Sequence, residues 1–193
     1  MTAIQPGMWR SALDLQQLLT EQGFQFCFIG GIAVQRWGEP RVTADLDLTL
    51  ITGFGTEKPF VQYLLEQFSS RIEDAAQFAM HSRVLMLEDG RGTAIDVSLG
   101  ALPYEERVVA RSSLWGTPQS GAIRTCSAED LMVLKAFADR PRDWEDIRTI
   151  LIRQGKNINR SLVIEELTPL AELKEEPEIL THLDQLFVES DQQ

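Results

Sequence analysis

Cysteine and histidine are scarce in this chain, and basic residues are outnumbered. Two cysteines and two histidines occur in 193 residues. Cys27 lies inside the apolar run FQFCFIG and reads as a buried free thiol, and Cys126 stands alone. Isolated cysteines predict a reduced, cytoplasmic compartment. His81 and His182 are single and distant in sequence, so neither is assigned a metal. No apolar run approaches the roughly 20 residues that a membrane-spanning helix requires. The opening stretch, MTAIQPGMWRSALDLQQ, lacks a basic start followed by an apolar segment, and no signal peptide is expected. Internal repeats and low-complexity linkers are also missing.

What is abundant is acid. The formal net charge is −11. Residues 161–193 hold one base and nine acids, a net −8, whereas the first 160 hold 17 bases and 20 acids, a net −3. The body is nearly balanced and the C-terminal segment is strongly acidic. Such a surface argues against tight, non-specific nucleic-acid binding, which depends on neutralising phosphates with Lys and Arg. A local basic cleft remains compatible with it, and Arg36, Arg41, Arg83, Arg91, Arg140 and Arg142 are candidates to line one.

Hydrophobic periodicity divides the chain into two regions. Met8 to Gln22 is amphipathic and reads as a helix stopped by Gly23. Phe24 to Ile29 reads as a buried strand, Ile32 to Trp37 as a short helix, and Asp45 to Ile51 as an alternating strand. Glu57 to Ser69 reads as a helix. Arg83 to Leu87 and Thr93 to Leu99 read as a hairpin, and Pro103 to Ala110 as one or two helical turns. A weaker hairpin is expected from Ser112 to Trp115 and Ala122 to Thr125. Beyond residue 126 the pattern is helical. Ser127 is placed to cap a helix from Ala128 to about Asp139, and Pro141 to open the next, ending near Gly155. Two acidic helices follow, about Asn159 to Leu173 and Glu178 to Val188. The expected fold is α+β, with a small mixed β-sheet flanked by helices over residues 1–126 and a C-terminal helical bundle over residues 127–193. An active cleft is expected between the two.

The chemistry is concentrated in the strand Asp45-Leu46-Asp47-Leu48-Thr49-Leu50. Alternate side chains of a strand face opposite sides, so the leucines bury one face and Asp45, Asp47 and Thr49 share the other. The two aspartates stand roughly 7 Å apart at their α-carbons, close enough to converge on one cation. The strand Thr93 to Leu99 repeats the pattern, with Ile95, Val97 and Leu99 on one face and Asp96 on the other. If these strands are neighbours, three carboxylates gather on one side, and a cation is the simplest relief of their repulsion. Mg²⁺ suits such a set, because it takes a few carboxylates plus water and substrate phosphates. Three acids also allow a division of labour between holding metal and assisting deprotonation of a nucleophile. Taken alone, the alternating Asp/Leu strand also describes a half-exposed edge with solvated acids.

Gly30-Gly31 adds a second component. It lies between the buried strand and a helix N-terminus, where free N–H groups and the helix dipole attract an anion. Glycine also lets the backbone approach a phosphate closely. Thirteen residues separate Gly31 from Asp45. Arg41, just before the aspartate strand, is placed either to meet a γ-phosphate or to serve as an ordinary surface residue. Trp37 reads as a packing residue.

Gly30-Gly31, the 13-residue gap, Asp45-Leu46-Asp47-Leu48 and the lone acid in Ile95-Asp96-Val97 together resemble the polymerase-beta-like nucleotidyltransferase superfamily. The stretch from Ile29 through Trp37-Gly38 and Arg41-Val42-Thr43-Ala44-Asp45 is closer still to its minimal prokaryotic branch, which includes the AbiEii/AbiGii-type toxins. The block Lys135, Arg140 and Arg142-Asp143-Trp144-Glu145-Asp146 resembles the lysine-helix and Arg-Asp-x-x-Asp block of that branch.

The resemblance implies metal-dependent transfer of NMP from an NTP to an acceptor hydroxyl. It implies Mg²⁺ or Mn²⁺ on Asp45 and Asp47, with Asp96 completing the site. Gly30 and Gly31 would meet the triphosphate, Lys135 would neutralise its charge, and Asp146 would order that end of the cleft. The acceptor is left open between RNA, protein and a small molecule of the aminoglycoside type, and a catalytically silent nucleotide-binding or protein-interaction module is the alternative. An antitoxin, or another basic partner for the acidic segment, is the macromolecular partner implied. Many members carry Gly-Ser at the turn, so Gly31 removes a hydroxyl contact to phosphate. On residue pattern alone, Lys135 borders the apolar stripe of Leu131, Leu134 and Ala138, and either snorkels to solvent or points into the cleft. Asp143 and Asp146 share a helix face, with dipole compensation as the plain role for Asp143.

Overall fold

The computed structural model describes residues 5–192. Residues 1–4, on which the expectation of no leader partly rests, lie outside the described residues.

The chain opens with α1 (Pro6–Glu21), an amphipathic helix that buries Met8, Ala12, Leu15 and Leu19. Proline in its first turn costs nothing there, because that N–H has no intrahelical partner. β1 (Phe26–Phe28) is buried throughout and leads into α2 (Gly30–Trp37). Both glycines thus belong to the first turn of the helix. β2 (Asp45–Ile51) follows, then α3 (Lys58–Gln67), the two-residue β3 (Ser69–Ser70) and α4 (Ala75–Ser82). β3 and α4 occupy a stretch whose sequence carries no clear periodicity. β4 (Val84–Glu88) and β5 (Ala94–Gly100) form the expected hairpin. α5 (Pro103–Arg111) is a full nine-residue helix, and β6 (Ser113–Thr117) and β7 (Gly121–Thr125) form the second hairpin.

Among the described residues, seven strands make one mixed sheet in the order β3-β4-β5-β2-β1-β7-β6. β2 is central, antiparallel to β1 and parallel to β5. Its leucines 46, 48 and 50 are fully buried, as are Leu85, Leu87, Ile95 and Val97 on the neighbouring strands. Each such side chain contributes roughly 1.5–3 kcal/mol by leaving water. They join the inner residues of α1, α3 and α4 in one cluster, with all the leucines of β2 on the same side. The aspartates of β2 and β5 are thereby committed to the opposite side.

The rest is helical. α6 (Ala128–Ala138) begins at Ser127, whose Oγ accepts the Asp130 N–H at 3.0 Å. α7 (Pro141–Gln154) ends at Gly155. α8 (Arg160–Lys174) and α9 (Glu178–Asp191) carry the acidic segment, and their inner stripes, including Val163, Leu167, Leu183 and Phe187, are buried. The acidic segment is therefore folded helix. Among the described residues, no helix is long and apolar enough to cross a membrane.

Contacts divide the chain into two compact units. One contains the sheet and runs to Ile32 and from Arg41 to Cys126. The other contains Ala33–Pro40 and the chain from Ser127 onward. In the second unit Ala33–Pro40 is tied to α7: Gln154 Nε2 donates to the Trp37 carbonyl at 2.8 Å, and the Glu39 N–H donates to Thr149 Oγ1 at 3.1 Å.

Candidate active site

The parallel pairing of β2 with β5 sets Asp47 directly opposite Asp96, and Asp45 opposite Ala94. Because all three acids project from the face that the leucines leave, their carboxylates converge. One oxygen from each lies within 4.8 Å of the others, and all three residues are half-buried. The donor set fits a hard divalent cation. Oxygens about 2.1 Å from an octahedral Mg²⁺ stand about 2.9 to 4.2 Å from one another, so a small contraction of these carboxylates suffices.

The Asp96 carboxyl is shifted by its surroundings. Burial pushes its carboxyl above the ordinary carboxylate range, the Arg71 charge and hydrogen bond oppose this, and the nearby Asp45 charge adds to it. The net direction is upward. Arg71 is the counter-ion, with its guanidinium on Asp96 Oδ1. It arrives from the residue after β3, where its N–H donates to the Met86 carbonyl at 3.1 Å, and Met86 sits opposite Asp96 across β4 and β5. Sequence reasoning missed Arg71, since it lies in a stretch without periodic signal and 25 residues from the acid it meets.

Gly30 and Gly31 adjoin this cluster. Gly30 has φ +59°, and a Cβ there would stand 2.5 Å from Asp47 Cγ. Only glycine combines that backbone with that proximity. The Gly31 N–H points at Asp47 Oδ2, 3.4 Å away. The first turn of α2 is thus packed directly on a carboxylate of the triad. Thr43, buried at 7% exposure, fills the space beside Gly31. Arg41 is half-buried in the same loop, with Nη1 3.4 Å from the Val42 carbonyl.

The remaining sequence candidates gather in the helical unit. Lys135 does not reach solvent. Its Nζ lies 2.9 Å from Asp143 Oδ1 and 2.6 Å from Asp146 Oδ2, and all three residues are at most 5% exposed. Arg140 Nε adds a contact of 2.6 Å to Asp143 Oδ2. Burial raises the Asp143 carboxyl, but hydrogen bonds from Arg140 and Lys135 and their charges hold it below the ordinary range. Asp143 therefore does more than compensate a helix dipole. His182 stacks on Trp144, with ring centroids 3.9 Å apart.

A family model described as "Nucleotidyl transferase AbiEii toxin, Type IV TA system" matches residues 15–187. The chain belongs to the AbiEii family. It is a nucleotidyltransferase, and the family description places such toxins in type IV toxin–antitoxin systems. Two solved structures share the AbiEii-family chain's fold. One is the crystal structure of an antigenic nucleotidyltransferase-like protein from Paracoccidioides brasiliensis, with a TM-score of 0.54 at 16% identity over 91% of each chain. The other is the solution structure of the antibiotic-resistance factor ANT(2'')-Ia, with a TM-score of 0.59 at 16% identity over 93% of this chain and 99% of that one. At such identity the likeness concerns the fold. No curated protein matches this AbiEii-family chain closely in sequence.

Proposed function

We propose that the protein transfers a nucleoside monophosphate from an NTP to an acceptor hydroxyl, with Mg²⁺ or Mn²⁺ held by Asp45, Asp47 and Asp96. The observation that carries this reading is the in-register pairing of Asp47 with Asp96, with Asp45 completing the set, against the N-terminal turn of α2. A cation there supplies charge neutralisation for the triphosphate and for the departing pyrophosphate.

The chain's own groups account for the remaining requirements. N–H groups at the start of α2 and the helix dipole orient phosphate oxygens. Asp96, directly opposite Asp47, would take the proton of the acceptor hydroxyl. The acceptor oxygen bonds to the α-phosphorus, the bond from that phosphorus to the bridging oxygen breaks, and pyrophosphate leaves. Arg41 meets the γ-phosphate. Lys135, buried between Asp143 and Asp146, holds the helical unit together and is given no contact with the triphosphate.

RNA or protein is the acceptor class proposed first, the family being described as a toxin family. A small cationic acceptor is the second reading, supported by the fold likeness to an antibiotic-resistance factor and by the net charge of −11. An antitoxin is the proposed partner, with the acidic face of α8 and α9 suited to a basic surface. The test incubates each α-labelled NTP with Mg²⁺ and, in separate reactions, total RNA, cell protein or an aminoglycoside panel. Label should appear on one acceptor class and vanish in Asp45→Asn and Asp47→Asn. Label equal to that of the variants on every acceptor removes the enzymatic reading, and thermal stabilisation by NTP with Mn²⁺ but no turnover leaves a silent binding module.

A further inference from the structure

Gly31 and Thr43 compete for one small volume. A Cβ built on Gly31 would stand 2.8 Å from Thr43 Cβ and closer still to Thr43 Oγ1. The place that a side chain at position 31 would fill is already taken by a hydroxyl from the loop before β2. Thr43 is a β-branched residue with a stiff χ1 and is nine-tenths buried, so this placement is built rather than incidental. Its Oγ1 lies 3.3 Å from the Asp45 carbonyl oxygen and 3.4 Å from Asp45 Oδ1. Both contacts are at the long, weak end of the hydrogen-bond range, which leaves the proton available for a stronger acceptor.

We infer that the Thr43 hydroxyl is the side-chain donor to the triphosphate at the Gly30-Gly31 turn, and that position 31 is glycine because Thr43 occupies its side-chain space. The inference rests on the triphosphate reading of this site. One side chain then spans the α2 turn and Asp45, since the hydroxyl lies beside Gly31 and 3.4 Å from Asp45 Oδ1. Its proton passes from a weak contact with Asp45 to a phosphate oxygen, and no covalent bond changes.

The full chain is titrated calorimetrically with inorganic triphosphate and Mn²⁺, a probe free of base preference. Thr43→Val keeps the shape and removes the hydroxyl, whereas Thr43→Ser keeps the hydroxyl. Thr43→Val should weaken binding about ten- to hundredfold, the worth of a hydrogen bond to a charged group. Thr43→Ser should stay within about threefold, with apo melting temperatures alike in the two variants. If Asp47→Asn weakens binding and Thr43→Val does not, the inference is overturned and the site reading stands. If the wild type does not bind, or if Asp47→Asn leaves binding unchanged, the site reading fails and takes the inference with it. A reciprocal pair covers the case in which Thr43→Val does not fold. Gly31→Ser alone should lose binding through the clash, and adding Thr43→Gly should recover it, because the hydroxyl then comes from the other side of the same volume. No recovery over Gly31→Ser overturns the inference.

Discussion

Arg71 sets its guanidinium on the carboxylate of Asp96, held one strand away through the Met86 carbonyl. The pair is partly open, with side chains 25% and 27% exposed. A positive group stands where a divalent cation would share the same carboxylate, so the two compete for it. Arg71→Ala should tighten Mn²⁺ binding about two- to fivefold, corresponding to the roughly 0.5–1 kcal/mol of a partly exposed ion pair. Arg71→Lys should change it less. Electron paramagnetic resonance of free Mn²⁺ reads this directly. Weaker Mn²⁺ binding in Arg71→Ala would show that Arg71 orients Asp96 rather than competing for it.

Gly30 separates steric exclusion from backbone strain. Gly30→Ala introduces a methyl 2.5 Å from Asp47 Cγ at a φ of +59°. Gly23 has a similar φ of +70° but nothing within 4 Å of its Cβ position. Gly23→Ala should therefore cost only the strain, about 1 kcal/mol. Gly30→Ala should cost about 1–3 kcal/mol more in denaturant unfolding and abolish nucleotidyl transfer. Equal losses in the two variants would refute the packing of Gly30 on Asp47.

Lys135 neutralises two buried carboxylates, so its removal is a stability event. Lys135→Met should destabilise the protein by about 3–5 kcal/mol, because Asp143 and Asp146 stay buried with a charge uncompensated. Adding Asp143→Asn and Asp146→Asn should return a large part of that loss. Urea unfolding of the single and triple variants tests the cycle, and a Lys135→Met protein as stable as wild type would contradict the buried network.

The same network has a pH signature. The Asp143 carboxyl is held below its ordinary range in the fold, so the unfolded chain binds its proton more readily than the folded chain does. The resulting stability is fully present above the ordinary aspartate value of about 3.9 and is lost as pH falls through the lower folded value. The melting-temperature gap between wild type and Asp143→Asn should be constant from pH 7 to about 5 and shrink below about 4. A gap that widens on acidification would reverse the assigned direction.

Much of this architecture was readable from periodicity. The strand Asp45–Ile51 alternates, the hairpin of Val84–Glu88 with Ala94–Gly100 is bounded by a Gly-rich loop, and Ser127, Pro141 and Gly155 mark helix ends at their observed places. These are local signals, and local geometry obeyed them. The short strand Ser69–Ser70 and the helix Ala75–Ser82 were not legible, because their order comes from pairing with Val84–Glu88 and from burial of Ala75 and Ala79. The helix after Phe28 begins two residues earlier than its apolar pattern implies, since glycines carry no hydrophobic signal.

By itself, the sequence determined that Asp45, Asp47 and Asp96 lie on strand faces opposite their apolar neighbours, and that a glycine pair precedes a helix, because both follow from the two-residue period and from composition. The tertiary structure alone decided that Asp47 stands opposite Asp96, that Arg71 answers their charge, that Thr43 fills the space beside Gly31, and that Lys135 is buried between two aspartates. Each of those depends on which strand pairs with which and in what register, and on which helix faces meet. Such long-range pairings are set by burial of the whole core, and no local pattern of residues encodes them.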